Sequence, residues 1–197
     1  MDRIISTKLI IVEGLDDKRF IESLLRHLEI NDVQVMFVNG KSNFRANIQA
    51  LRNTPGFDAL LICSFIRDSD TNPPISAFTS IRDSLIAAGL NPPEDDQTFT
   101  DHTPRMGIFI MPGNGSSGAI EDLCLSSVLE DSDYICVEDY FECKGTVPKE
   151  ASKARVQCYL SGKEPLTNSL GYASLKGHWD FKKPEYEPIK DFLSNYK

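Results

Sequence analysis

The sequence offers little for a cysteine- or histidine-based site. Its five cysteines (Cys63, Cys124, Cys136, Cys143 and Cys158) are odd in number, and no two are spaced C-x-x-C. That argues against both a disulfide framework and a zinc site; reduced, mostly packed thiols are expected instead. The histidines (His27, His102 and His178) are scattered singly, so zinc held by imidazoles is not expected. No apolar run reaches the roughly 18 residues of a membrane-spanning helix. The N-terminal stretch lacks the apolar core and small-residue cleavage site of a signal peptide. The expected location is therefore the cytoplasm, without membrane association. Positive charge is also short, with 21 Lys and Arg against 29 Asp and Glu, for a net charge of −8. Proteins that grip nucleic acid through its phosphates usually carry a basic patch. Here such a patch must be local, or supplied by a partner.

The 197 residues are 41% hydrophobic and 25% charged, enough for one domain with a real core. Apolar, β-rich runs at 8–12, 33–38, 59–66 and 106–111 read as strands. Between them lie segments of helical periodicity. The first carries Phe20, Ile21, Leu24, Leu25 and Leu28 on one face. The second spans 42–53, with Ser42 as its N-cap. The third spans 74–88, with Ile75, Phe78, Ile81, Leu85 and Ile86 inward. The segment Asn91–Pro104, with three prolines and several acids, reads as an exposed loop. Beyond residue 119 the pattern is helical, at about 119–130, 133–143, 149–161 and 185–195. Strands separated by helices, with no hairpin turns, imply a parallel sheet joined by right-handed crossovers. The expected fold is α/β: a four-stranded parallel sheet flanked by helices over residues 1–130. A helical extension, 131–197, packs on the same domain.

In open parallel sheets, ligands bind beyond the carboxyl ends of the strands. Three of the four expected strands end in acids: Glu13 with Asp16 and Asp17, Asp68 with Asp70, and Glu121 with Asp122 after the glycine-rich run 112–118. Crowded carboxylates repel unless a cation lies between them, and hard oxygen donors suit Mg²⁺ or Mn²⁺. Acids at helix starts also cap the backbone and complement the helix dipole. Asp16, Asp17, Glu121 and Asp122 fit that role equally well. Capping is a poorer account of Glu13, which directly follows a buried run, and of Asp68 and Asp70, which share one turn.

The sequence Ile11-Val12-Glu13-Gly14-Leu15-Asp16-Asp17, followed by Asp68-Ser69-Asp70 after the third strand, resembles the TOPRIM domain of topoisomerases, primases and related nucleases. The run Pro112-Gly113-Asn114-Gly115-Ser116-Ser117-Gly118 with its following helix, and Trp179-Asp180-Phe181 near the end, are similar to small bacterial TOPRIM-like proteins of unassigned function. The acidic motifs alone resemble the overcoming-lysogenization-defect nucleases. The resemblance implies that Glu13 serves acid–base chemistry or metal binding and that Asp68 and Asp70 bind metal. In the nuclease branch, Asp17 and Glu121 match the acids that complete a two-metal site. That branch also uses a lysine downstream of the acids, and Lys153 is the candidate here. A topoisomerase would need a nucleophilic tyrosine from another domain and a primase a zinc module; neither is evident.

Gly113, Gly115 and Gly118 match a G-x-G-x-x-G pattern, but the chain lacks the acid about 20 residues on, at the end of a following strand, that dinucleotide binding needs. Two readings of the run stand: a backbone cradle for phosphate at the helix N-terminus, and a tight turn that places Glu121. An aspartyl-phosphate phosphatase is a minor alternative, because its D-x-D follows the first strand and Asn72 stands where it needs Thr or Val. Lys18, Lys41 and Arg67 lie near the acids as phosphate contacts, or as ion-pair partners of neighbouring carboxylates, the reading favoured for Lys18. Trp179 and Phe181 are expected to pack the last segment onto the core. Two functions follow. One is a Mg²⁺- or Mn²⁺-dependent nuclease or other phosphodiesterase acting on DNA or RNA. The other is a metal- or nucleotide-binding module that regulates a partner protein supplying positive charge.

Overall fold

The computed structural model describes residues 3–197, apart from the side chains of Lys41 and Ser42. Four short strands, β1 (Lys8–Val12), β2 (Val33–Phe37), β3 (Ile62–Asp68) and β4 (Arg105–Met111), form one parallel sheet in the order β2-β1-β3-β4. Helices α1 (Leu15–His27), α2 (Lys41–Leu51) and α3 (Pro74–Ala87) make the crossovers. After β4 come α4 (Ile120–Ser126), α5 (Ser132–Lys144), α6 (Ala151–Ser161), α7 (Leu170–Leu175) and α8 (Glu187–Ser194). The architecture is the expected α/β sheet with a helical C-terminal part.

Side chains alternate across a strand, so each strand feeds two cores. Ile10, Val12, Ile66, Phe109 and Met111 face one cluster, roofed by α1 and by residues from α4 to the C-terminus. Leu9, Ile11, Cys63, Phe65, Ile108 and Ile110 face the other, under α2 and α3. The C-terminal part is sewn into the first cluster. Trp179 stacks on Tyr159 at 5.7 Å, and Phe181 meets Phe20 edge-on at 5.5 Å. The Tyr196 hydroxyl donates to Leu9 O at 2.8 Å and lies 2.7 Å from Ser64 Oγ. Trp179 and Phe181 therefore pack as expected.

Several boundaries differ from the sequence reading. The third strand starts at Ile62, because residues 57–59 form a 3-10 turn. Helix α7 falls between the expected helices at 149–161 and 185–195. Ile75 and Ile86 on α3 are 65% and 53% exposed; its buried face is set by Ala77, Phe78, Ile81 and Leu85. Helix α2 begins at Lys41 with Gly40 in the N-cap position, while the Ser42 cap lies outside the described side chains. Cys136 and Cys143 are exposed on α5, whereas Cys63 and Cys124 are buried, so the thiols are less packed than expected.

The segment 91–104 is not a free loop. Gln97 N donates to Ile108 O at 2.8 Å, Thr100 N to Met106 O at 2.9 Å, and Asp96 Oδ1 accepts from Ile110 N at 2.9 Å. Phe99 lies over Gly107, where a Cβ would fall 2.4 Å from its ring, and stacks on Phe192 at 4.6 Å. This strap satisfies the outer backbone groups of β4, which a bare edge would leave open. Among the described residues no helix is long and apolar enough to cross a membrane.

Candidate functional site

Parallel crossovers bring the carboxyl ends of β1, β3 and β4 to one side of the sheet. Asp68, the last residue of β3, pairs in register with Met111, the last of β4. Gly14, directly after Glu13, is the N-cap of α1, and Asp17 Oδ2 turns back to accept from Gly14 N at 3.0 Å. A Cβ at position 14 would sit 2.9 Å from that oxygen, so glycine leaves the carboxylate its place. Helix α4 starts the same way, with Asp122 Oδ2 accepting from Ala119 N at 2.7 Å. Capping is thus real for Asp17 and Asp122. For Asp17 it coexists with a place among the other acids.

The glycine-rich run ties the end of β3 to the start of α4. Buried Ser69 accepts from Gly118 N at 2.9 Å, and its hydroxyl lies 3.0 Å from both Met111 O and Gly118 O. Ser69 N and Asp70 N donate to Gly118 O at 3.1 and 2.9 Å. Gly113 has φ 91° and no room for a Cβ, which would lie 2.4 Å from the Phe109 ring. Gly118, at φ 153°, would place one 2.8 Å from Asp122 Oδ2. Glycine at these two positions answers to turn geometry. Gly115, at φ 81°, has open space around it.

Asp68 Oδ1 accepts from Ile120 N at 3.1 Å across this junction. Burial, and then the charges of Asp17, Glu121 and Glu13, hold the Asp68 carboxyl well above its ordinary range. Burial, with Glu13 and Glu121, pushes Asp17 up to about 7 despite its backbone hydrogen bonds. Glu121 is raised by burial and by Asp122 and Asp16, while Lys153 pulls it down. Glu13 Oε2 is shut off from solvent. The structure therefore gathers Glu13, Asp17, Asp68 and Glu121 into one electrostatic group. Asp70 sits at the turn in left-handed backbone, φ 54°, and the charges acting most on Asp68 are those of the other three.

Lys153 reaches this group from the C-terminal part. Ser152 Oγ donates to Asp122 Oδ1 at 2.5 Å, docking the start of α6 on α4. Burial works to lower Lys153, but Glu121, Glu150 and Asp68 outweigh it and hold the ammonium above its ordinary value. Lys153 also pairs with Glu150 at 3.6 Å. No sequence signal foretells the Ser152–Asp122 bond, which joins two helices 30 residues apart.

The other basic residues face elsewhere. Arg67 alternates with Asp68 and so lies on the opposite face of the sheet, donating to Ser80 at 3.2 Å. Lys18 pairs with Glu22 at 3.7 Å one helical turn on. The Lys41 side chain lies outside the described ones. Among the described residues, no three His, Cys, Asp or Glu side chains are already set as a metal-ligand group. The four carboxylates share charge without converging on one point. As a donor set they are all hard oxygens, the ligand type that Mg²⁺ or Mn²⁺ takes.

The chain belongs to the family described as protein of unknown function DUF3226, whose profile matches residues 7–196. No curated protein matches it. Among solved structures it is similar to the C-terminal region of the OLD protein of Xanthomonas campestris pv. campestris. The TM-score is 0.51 and the identity 15%, over 98% of this chain and 96% of that one. The C-terminal region of the Burkholderia pseudomallei OLD protein gives a TM-score of 0.48 at 15% identity, over 98% of each chain. The first likeness is one of fold: the four-stranded parallel sheet and its helices, including those of the C-terminal part.

Proposed function

We propose that this DUF3226 chain is a TOPRIM-type, Mg²⁺- or Mn²⁺-dependent nuclease or other phosphodiesterase. The observation that carries the reading is the gathering of Glu13, Asp17, Asp68 and Glu121 from three strand ends into one group whose charges, with burial, raise Asp17 and Asp68, with Lys153 beside them. Carboxylates crowded in a buried group repel one another, and a divalent cation relieves that repulsion. The TOPRIM resemblance of the Glu13 and Asp68-Ser69-Asp70 motifs points the same way, and the fold shared with the OLD C-terminal region is compatible with it. When bound, the cation would supply charge to the scissile phosphate and an activated water. Glu13, Asp17, Asp68 and Glu121 would hold it, with Asp70 at the rim. Lys153 would neutralise a phosphate oxygen on the substrate, DNA or RNA being the class considered first. Gly113, Gly115 and Gly118 would serve by shaping the turn that positions Glu121.

The second reading, a non-catalytic metal- or nucleotide-binding module that regulates a partner protein, has its own support. Among the described residues no three acids stand in ligand geometry, and both Arg67 and Lys18 are engaged away from the group. A screen of purified protein against single- and double-stranded DNA and RNA, with Mg²⁺ and with Mn²⁺, separates the two. Cleavage that disappears in Glu13→Gln supports the enzyme. No cleavage of any substrate, combined with metal binding seen by calorimetry, supports the module.

A further inference from the structure

Helices α4 and α6 meet at their first turns, through two pairs of neighbouring residues. Glu121 and Asp122 follow one another on α4, as Ser152 and Lys153 do on α6. Glu121 belongs to the carboxylate group. Asp122 has other partners: its Oδ2 accepts from Ala119 N at 2.7 Å, and its Oδ1 from Ser152 Oγ at 2.5 Å. Each oxygen thus already accepts a bond, one within α4 and one from α6. A Cβ at Gly118 would lie 2.8 Å from Oδ2, so the glycine leaves this carboxylate its place.

The Ser152 bond falls where packing holds α6 least. Residues 142–150 before it are exposed throughout, and the buried anchors Val156, Tyr159 and Leu160 begin a turn beyond Ser152. The Lys153 side chain is 58% exposed, so its surroundings do not fix it. Its ion pair with Glu150, at 3.6 Å, joins residues three apart at the start of α6 and would travel with that helix. Glu121 on α4 and Asp68 on β3 nevertheless act on its ammonium. The placement of the first turn of α6 therefore decides whether these charges meet. A bond from the adjacent residue sets that placement.

We propose that the Asp122–Ser152 bond is a clasp that keeps Lys153 beside Glu121 and Asp68, as the built-in counter-charge of the carboxylate group. Asp122 is then a positioning residue and not a further metal ligand. The clasp itself does not depend on catalysis; its consequence for metal rests on the function proposed above. A cation entering the group meets a like charge in Lys153. The clasp therefore tempers metal affinity while keeping the lysine in reach of a substrate phosphate.

A double-mutant cycle in thermal unfolding of the metal-free full chain tests it, at low ionic strength, where charges are least screened. Lys153→Gln strips the acids of their counter-charge and should lower the melting temperature by about 2–4 °C. In a Ser152→Ala background, where the lysine is already released, the same change should cost less than half as much. The Glu150 partner is present in both backgrounds, so the difference reports the acids. Ser152→Thr keeps the hydroxyl and should behave as the unaltered chain does. Equal losses from Lys153→Gln in both backgrounds, or no loss in either, overturn the proposal. Calorimetric titration with Mn²⁺ gives a second readout. Ser152→Ala and Lys153→Gln should each bind it several-fold tighter, and together no tighter than either alone. Weaker binding in Ser152→Ala overturns the proposal as well, because loss of a merely structural bond would loosen the ligands. If Mn²⁺ binds none of these proteins, the proposed function falls, while the unfolding cycle still decides the clasp.

Discussion

Arg67 and Asp68 are neighbours in the chain, yet they stand on opposite faces of the sheet in opposite surroundings. Arg67 shares the face covered by α2 and α3, reaching Ser80 and lying 6.0 Å from the Phe44 ring. Asp68 shares the face covered by α1 and α4, among Asp17, Glu121 and Glu13. Strand alternation thus keeps the guanidinium from neutralising the carboxylates one residue away. Lys153, carried in on α6, offsets them from another element. A sheet can hold like charges together by screening off the counter-charge that lies nearest in sequence.

Substitutions on the two faces should separate sharply. Under the proposed function, Asp68→Asn or Glu13→Gln should reduce metal-dependent cleavage by about 10²–10⁴-fold, the usual weight of a positioned acid, base or ligand. Arg67→Gln should change the same rate by less than about threefold. Equal losses on both faces, read as initial rates on one substrate, would dissolve the contrast.

The next effect is on stability. Asp17 is raised to about 7 when folded, against an ordinary 3.8. Between those values the folded state holds the proton that the unfolded state has lost, so stability falls as pH rises through the window. Metal-free protein should therefore melt at a higher temperature at pH 6 than at pH 8. Asp17→Asn should flatten that dependence by an amount on the order of a few kcal/mol at most. A melting temperature that climbs from pH 6 to 8 in the absence of metal would contradict the coupling of these acids.

A smaller effect concerns the junction that sets the acids' spacing. Gly118→Ala forces a Cβ to 2.8 Å from Asp122 Oδ2 at a φ few other residues adopt. It should cost about 1–3 kcal/mol in chemical denaturation. Gly115→Ala, with open space around it, meets only the backbone strain and should cost less. The reverse order would mean that the run is not held by Ser69 and Asp122 as described.

Much of this was legible in the sequence because it depends on short-range pattern. Apolar runs located four strands to within a few residues, and their separation by helices implied parallel order and a shared carboxyl edge. The acids of the group were all named beforehand. Which of them cluster was not, because Asp17 and Glu121 read equally well as caps and Asp70 shares a turn with Asp68. Rotation about a helix start or a turn is decided by tertiary bonds such as that from Ile120 N to Asp68. Helix α7, six residues long, is too short to display a period, and the strap 91–104 takes its order from hydrogen bonds to β4 that composition does not encode. The opposite facing of Arg67 and Asp68, by contrast, follows from strand alternation once β3 is known to extend through Asp68.

Gly171 carries a practical consequence. Its Cα side is pressed so closely on the first turn of α1 that a Cβ would fall 2.5 Å from Asp16 O. The last third of the chain therefore braces the backbone that presents Asp17, besides covering Phe20, Ile21 and Leu24. A recombinant fragment ending near residue 130 would keep every acid of the group and still lose its bracing. It is expected to be poorly soluble, with apolar residues laid bare along α1. Attempts to trim this protein to a minimal acidic core should instead remove exposed turns such as 145–150 and leave the C-terminal chain in place.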